Sequence, residues 1–237
     1  MNVSSLGTIL GVWAHPDDET FCAGGLLAAA TRGGQRVICI TATKGEAGSQ
    51  DLEKWPKNNM GSVRQKELMA ALKVLGITDH HWLDYLDGQC AQADASTAAK
   101  QIAVLIDKYQ PDTILTFGPD GLTGHSDHQT VSHWVDKAVD KAQHDPTVYH
   151  AVLTVGQYKK YLQAADAKLN LFFNIDQPPL VPQDECDLCF TCDNELCDCK
   201  QAAFAAMPSQ YEKMMQAFDQ DYLNEAFRVE AFVKARD

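Results

Sequence analysis

Short apolar runs alternate with longer amphipathic stretches along the chain. The runs Thr8–Ala14, Arg36–Ala42, Asp112–Gly118 and Val148–Thr154 read as buried strands, with His81–Tyr85 a weaker one. Between them, Thr20–Arg32 reads as a helix stopped at Gly33-Gly34. Ser62-Val63-Arg64-Gln65 fits a capping box that opens a helix running to Leu75, with Gly76 behind it. Ser96–Tyr109, closed by Pro111, and His128–Ala142 complete the helical set. Strands separated by helices of this length predict repeated βαβ units, hence an α/β fold with a Rossmann-like, mostly parallel sheet flanked by helices. After Tyr158 the pattern is less regular. Leu169–Ile175 and Glu225–Val233 read as strands, the second alternating Phe227, Val229, Ala231 and Val233 with polar partners. The expected organisation is a single domain over 1–237, with a core at about 8–155 and a C-terminal extension at 156–237. Lys44–Gly61 carries no periodic signal, and a loop of that length inside a compact domain suits a lid or binding loop.

The 237 residues carry a formal net charge of -12, which opposes phosphate backbones and anionic lipid surfaces. Nucleic acid and membrane insertion are therefore not expected, and no apolar stretch reaches spanning length. Met1–Ala14 has no basic n-region and no small-residue cleavage site, so the expected location is the cytoplasm. A homo-oligomer is compatible with everything in the sequence.

Two clusters carry chemistry. His15-Pro16-Asp17-Asp18-Glu19 directly follows the first predicted strand, and His125-Ser126-Asp127-His128 follows the strand Asp112–Gly118. Ligands of open parallel sheets bind at the carboxyl ends of strands, so both clusters should emerge at one edge. A catalytic zinc takes three His or carboxylate ligands and leaves one position for water. His15 and Asp18, three apart on a turn, can hold one ion with a histidine from the second cluster. Zinc lowers the pKa of its bound water and polarises a carbonyl. A spare carboxylate such as Asp17 can accept the water's proton. A spare histidine, if protonated, can stabilise an oxyanion, with a neighbouring carboxylate orienting it. Alone, each cluster also fits a blander account: a solvated loop histidine, or an aspartate pair capping a helix. Their joint placement after two buried strands favours a site.

These paired motifs resemble those of the PIG-L/LmbE-like N-acetylglucosaminyl deacetylases, over at least Ile9–Trp134. The resemblance implies a zinc-dependent N-deacetylase in which zinc-bound water attacks the amide of an N-acetylglucosamine-type sugar or its conjugate. It implies His15, Asp18 and His128 as metal ligands, Asp17 as general base, and His125 as oxyanion stabiliser oriented by Asp127. It further implies substrate contacts from Arg64, Asp87 and Glu46. His and carboxylate donors suit ferrous iron as well as zinc. Two positions depart from the family pattern. Ser126 stands where proline is common, leaving the ligands on either side in place. Met207-Pro208-Ser209-Gln210 stands where many members have a histidine before Ser/Thr-Gln, so no role of that histidine is carried over.

Cys186, Cys189, Cys192, Cys197 and Cys199 invite a second metal site. However, Asp187–Asp193 reads as a strand, which would turn Cys189 away from Cys186 and Cys192. Buried, inert thiols are the favoured account. Two further functions are weighed. A non-catalytic sugar-conjugate binder would not need a spare base beside its metal. A dinucleotide-binding enzyme would need a Gly-x-Gly-x-x-Gly turn, whereas Gly24-Gly25 falls near the start of the predicted helix.

Overall fold

The computed structural model describes residues 2–176 and 178–235. Five parallel strands form its centre, each joined to the next by a helix. In chain order these are β1 (Ile9–Trp13), α1 (Asp18–Arg32), β2 (Val37–Thr43), α2 (Met60–Val74), β3 (Asp79–Tyr85), α3 (Ala95–Tyr109), β4 (Thr113–Phe117), α4 (Ser126–Val139) and β5 (Thr147–Thr154). There follow α5 (Gln163–Leu169), β6 (Leu180–Val181), β7 (Leu188–Thr191), α6 (Asn194–Ala205), α7 (Pro208–Ala217), α8 (Gln220–Ala226) and β8 (Val229–Lys234). The sheet order is β3-β2-β1-β4-β5-β8-β7, with β6 beside β5. β8 runs antiparallel to both β5 and β7. The C-terminal part therefore extends the central sheet.

Every residue of β1, β2 and β4 is buried, because helices cover both faces. That is why these strands show as continuous apolar runs rather than alternations. Among the described residues, no helix is long and apolar enough to cross a membrane.

Several predicted elements are shifted or replaced. The helix assigned to start at the Ser62 capping box starts at Met60, and Asn59 before it makes no side-chain cap. The helix assigned to His128–Ala142 starts at Ser126, so Asp127 lies in its first turn rather than in the loop before it. Leu169–Ile175 is not a strand. α5 runs to Leu169, Asn170 turns left-handed at φ 53°, and the chain continues in turns. The backbone N–H of Phe172 donates to Asp166 Oδ1 at 2.9 Å. Glu225 and Ala226 belong to α8, and the strand begins only at Val229. The expected alternation fails there because β8 is an interior strand: Glu230 is buried alongside Ala231 and Phe232.

Glu230 is held in the middle of α1. Its carboxylate accepts from the backbone N–H of Gly25 (2.8 Å) and Leu26 (2.7 Å). Lys200 of α6 donates to the Phe21 carbonyl at 3.0 Å and to Glu230 Oε1 at 2.6 Å. The carboxylate thus meets N–H groups as an N-cap would, and the ammonium meets a carbonyl as a C-terminal cation would. Gly24 and Gly25 permit the approach: a Cβ on Gly25 would lie 2.1 Å from Cys192 Sγ, and one on Gly24 would lie 3.3 Å from Lys200 Cγ.

Candidate active site

β1 and β4 are neighbours from which the strand order runs outward in opposite directions, the place where open α/β sheets bind ligands. The loop after β1 is pinned there by the backbone N–H and hydroxyl of Thr43, both donating to the Ala14 carbonyl. Asp17 ends this loop with φ 128° and ψ -26°. Such a backbone costs about 1–3 kcal/mol for a non-glycine residue and persists only where its surroundings hold it. They do so here. The Asp17 N–H donates to Glu19 Oε2 at 3.2 Å, and buried Arg64 reaches the Pro16 carbonyl at 2.6 Å and Asp17 Oδ1 at 3.1 Å. Arg64 also donates to the Gly45 carbonyl at 3.1 Å, tying the loops after β1 and β2 together.

Three donor groups converge beside Asp17. His15 Nδ1 lies 3.1 Å from His128 Nε2 and 3.7 Å from Asp18 Oδ2, and His128 Nε2 lies 3.3 Å from Asp18 Oδ1. Ligand atoms of a tetrahedral zinc with bonds near 2.0–2.1 Å sit about 3.3 Å apart. The proton positions point the same way. His128 Nδ1 is 3.0 Å from the Gly121 carbonyl, which fixes the proton on that nitrogen and leaves Nε2 bare. His15 Nε2 lies 3.0 Å from Asp87 Oδ1 and 3.2 Å from Asp127 Oδ2, which fixes its proton there and leaves Nδ1 bare. Two bare nitrogens then face each other at 3.1 Å and call for a positive charge between them. Burial by itself lowers the pKa of His15, but Asp127 and Asp87 raise it to about 10, the same demand expressed through a proton. Burial works against the charged form of Asp18, yet His128 and His15 hold its carboxyl down at about 2. The residues present fit a bound metal ion. His15, His125 and His128 also stand close enough to share one, as do His15, Asp87 and Asp127.

The remaining expected residues take definite places. His125 caps α4, its Nδ1 accepting the Asp127 N–H at 3.1 Å, so a neutral ring carries its proton on Nε2. Burial, with His15 and His128 nearby, holds the His125 pKa down at about 4. In that neutral form His125 offers Nε2–H as a hydrogen-bond donor. The Asp127 carboxylate, expected to orient His125, instead reaches His15 and accepts from the N–H groups of Gly88 (2.7 Å) and Cys90 (3.1 Å). Asp87 accepts from the Ala47 N–H at 2.9 Å besides reaching His15, and Glu46 accepts from the Asp87 N–H at 3.1 Å. Burial lifts the Asp17 carboxyl to about 6 against the pull of Arg64.

His15, Asp17, Asp18, Arg64, Asp87, His125 and His128 line a cavity of about 660 Å³, and Glu46 and Asp127 do not reach it. Leu169–Asn174 and Gln210, Tyr211, Lys213 and Met214 of α7 also line it. The loop after β2 enters at Ala47–Gln50 and is tethered to α7 by Gln210 Nε2 on the Gly48 carbonyl (3.1 Å) and by Lys213 on the Gln50 carbonyl. Sequence reasoning missed Phe117, whose ring stacks on His128 at 4.0 Å and 8°. Its position at the end of a predicted strand was the available signal. It also missed Tyr211, and there the chain offered none. At the position departing from the family pattern, Ser209 donates to Glu67 through its backbone N–H and its hydroxyl. All eight cysteines are free thiols, and among the described residues none joins a group able to hold a metal.

The family described as PIG-L, GlcNAc-PI de-N-acetylase, matches residues 10–139, more than half of the chain. The 1D-myo-inositol 2-acetamido-2-deoxy-alpha-D-glucopyranoside deacetylase of Mycobacterium sp. (strain KMS) is 33% identical over 168 residues, covering 62% of this chain and 54% of that protein. The chain thus spans about half the length of that relative. Among solved structures, the N,N'-diacetylchitobiose deacetylase from Pyrococcus horikoshii superposes with a TM-score of 0.64 at 19% identity, over 96% of this chain and 83% of that one. The 4-carboxy-2-hydroxymuconate hydratase from Pseudomonas putida KT2440 does so with a TM-score of 0.65 at 16% identity, over 98% of this chain and 97% of that one. At these identities the likeness is one of fold, and a fold shared by a deacetylase and a hydratase does not choose the reaction. The family match does not rest on fold: it spans both histidine- and aspartate-bearing loops, and the chain belongs to the PIG-L family.

Proposed function

We propose that the chain is a metal-dependent hydrolase that removes the acetyl group from an N-acetylglucosamine-type sugar or its conjugate, releasing a primary amine and acetate. The observation that carries this reading is the convergence of His15, Asp18 and His128 at tetrahedral spacing, with Asp17 beside them on a strained, tethered backbone. Those three residues would hold zinc, and ferrous iron suits the same donors. When bound, the ion acidifies water and polarises the acetyl carbonyl.

The chain's own residues supply the rest. Asp17 accepts a proton from the attacking water at its carboxylate and returns it to the departing nitrogen. His125 offers its Nε2–H to the carbonyl oxygen as that oxygen gains charge. Asp127 and Asp87 keep the His15 proton on Nε2, so that Nδ1 stays a donor to the metal. Arg64 and Asp87 line the cavity as the sugar-facing pair, while Glu46 acts behind them by holding the Asp87 backbone. Residues 1–237 act as one deacetylase unit, with the core at 8–155 carrying the chemistry. The -12 charge supports a small amino-sugar substrate over nucleic acid or membrane, and eight free thiols support a reducing compartment, the cytoplasm.

The test is primary-amine release from a panel of N-acetylglucosamine conjugates by zinc-loaded protein. Asp17→Asn is expected to keep its metal and lose roughly 10²–10⁴-fold in turnover. No release from any conjugate, despite one bound metal per chain, would remove the deacetylase reading and leave a sugar-conjugate binding protein.

A further inference from the structure

The residues assigned to the chemistry, from His15 to His128, all lie within the stretch matched by the family, whereas a second part of the cavity's wall lies outside it. That wall is built from residues 169–174 and from Gln210, Tyr211, Lys213 and Met214. The reaction requires the acetamido group at the polar end, beside Asp17 and His125. A group carried by the sugar can then reach this second part of the lining.

The volume calls for such an extension. About 660 Å³ is the space of a drug-sized ligand. The wall's chemistry restricts the extension. Leu169, Leu171, Phe172, Tyr211 and Met214 supply its surface, and Phe173 stands at 68% exposure beside them. An aromatic ring held this far into solvent gains by being covered. Phe21 of α1 and Leu122 continue the apolar surface back toward the metal-binding end. Two cations line the cavity: Arg64, paired with Asp17 and two backbone carbonyls, and exposed Lys213, which donates to the Gln50 carbonyl. A polyol would need a dense set of hydrogen-bonding partners, and beyond Asn170, Asn174, Gln210, Lys213 and the Tyr211 hydroxyl the wall offers mostly carbon.

We infer that this wall is a binding subsite for an apolar, alkyl or aryl, group attached to the acetamido sugar, with Leu171, Phe172, Phe173 and Met214 as the residues that select it. The inference rests on the deacetylase reading for its placement of the sugar. It sets this chain apart from the mycobacterial relative, whose name specifies an inositol conjugate.

The experiment compares methyl, n-hexyl and inositol glycosides of N-acetylglucosamine, measuring amine release by zinc-loaded protein and binding by calorimetry. Each buried methylene is expected to raise kcat/KM roughly fourfold, so a hexyl chain burying three of them gains about sixtyfold over methyl. Phe173→Ser and Leu171→Ser are expected to shrink the hexyl-to-methyl ratio severalfold. A ratio within twofold of one, or a preference for the inositol glycoside, with amine still released, overturns the subsite and leaves the deacetylase reading standing. If no glycoside releases amine, calorimetry decides. Tighter binding of hexyl than methyl keeps the subsite while the deacetylase reading falls, and equal or absent binding removes both.

Discussion

Two ion pairs in this protein share the same 2.6 Å separation and differ in burial and in their further partners. The Lys200 and Glu230 side chains are 2% and 1% exposed, and those of Lys54 and Glu212 are 50% and 32% exposed. Lys200→Met keeps most of the aliphatic stem but strips the ammonium from Glu230. Its carboxylate is left between β8 and α1 with only the Gly25 and Leu26 N–H groups. Breaking a buried pair from one side costs about 3–5 kcal/mol, and the two backbone donors place this case near 3. Lys54→Met removes an exposed partner, and its expected cost is under about 1 kcal/mol. Urea unfolding of both variants, with free energies from midpoint and slope, measures the difference. A Lys200→Met cost within about 1 kcal/mol of that of Lys54→Met would refute the idea that burial makes this pair hold α1. In a double-mutant cycle, Lys200→Met with Glu230→Leu is expected to cost less than the sum of the single changes, because the second removes the stranded charge.

Gly25→Ala would place a methyl 2.1 Å from Cys192 Sγ, and is expected to cost about 1–3 kcal/mol in the same unfolding assay. Cys192→Ala should restore most of that loss, and no restoration would show that the sulfur contact is not its cause. Burial holds the His80 imidazole at about 4, against about 6.5 in an unfolded chain. As pH falls from about 6.5 to 4, the unfolded chain takes up a proton that the native protein refuses, so stability drops across that window. With the ring only part-buried, the expected loss is about 1–2 kcal/mol; the drop in stability between pH 7 and pH 5 should be smaller by that amount in His80→Phe than in the parent, and matching profiles would exclude His80 as a source. Zinc at a hundredfold over its Kd should stabilise the protein by about 2.7 kcal/mol, read as a chelator-reversible rise in Tm that His128→Ala abolishes. An unchanged Tm would argue against a metal at His15, Asp18 and His128.

The sequence by itself determined the central architecture. Strands buried on both faces need continuous apolar runs, and crossover helices need amphipathic ones, so β1, β2, β4 and β5 with α1, α2, α3 and α4 were legible from local pattern. The two His- and Asp-bearing loops were legible because each follows such a strand. The C-terminal part was not, because its partners decide its conformation. Leu171 and Phe172 form an apolar run in β8-like style, yet they line a cavity in turns after the left-handed Asn170. Glu230 looks like the polar half of an alternating strand, yet lies buried because Lys200 and the N–H groups of α1 meet it from other elements. Within the site, residue types and spacing named the metal donors, but only the tertiary structure turned the Asp127 carboxylate toward His15 rather than His125. It alone placed Arg64 across two loops and brought α7 to the cavity. Local periodicity records what each segment buries; which side chain satisfies which charge depends on groups far apart in the chain that meet only when the sheet has formed.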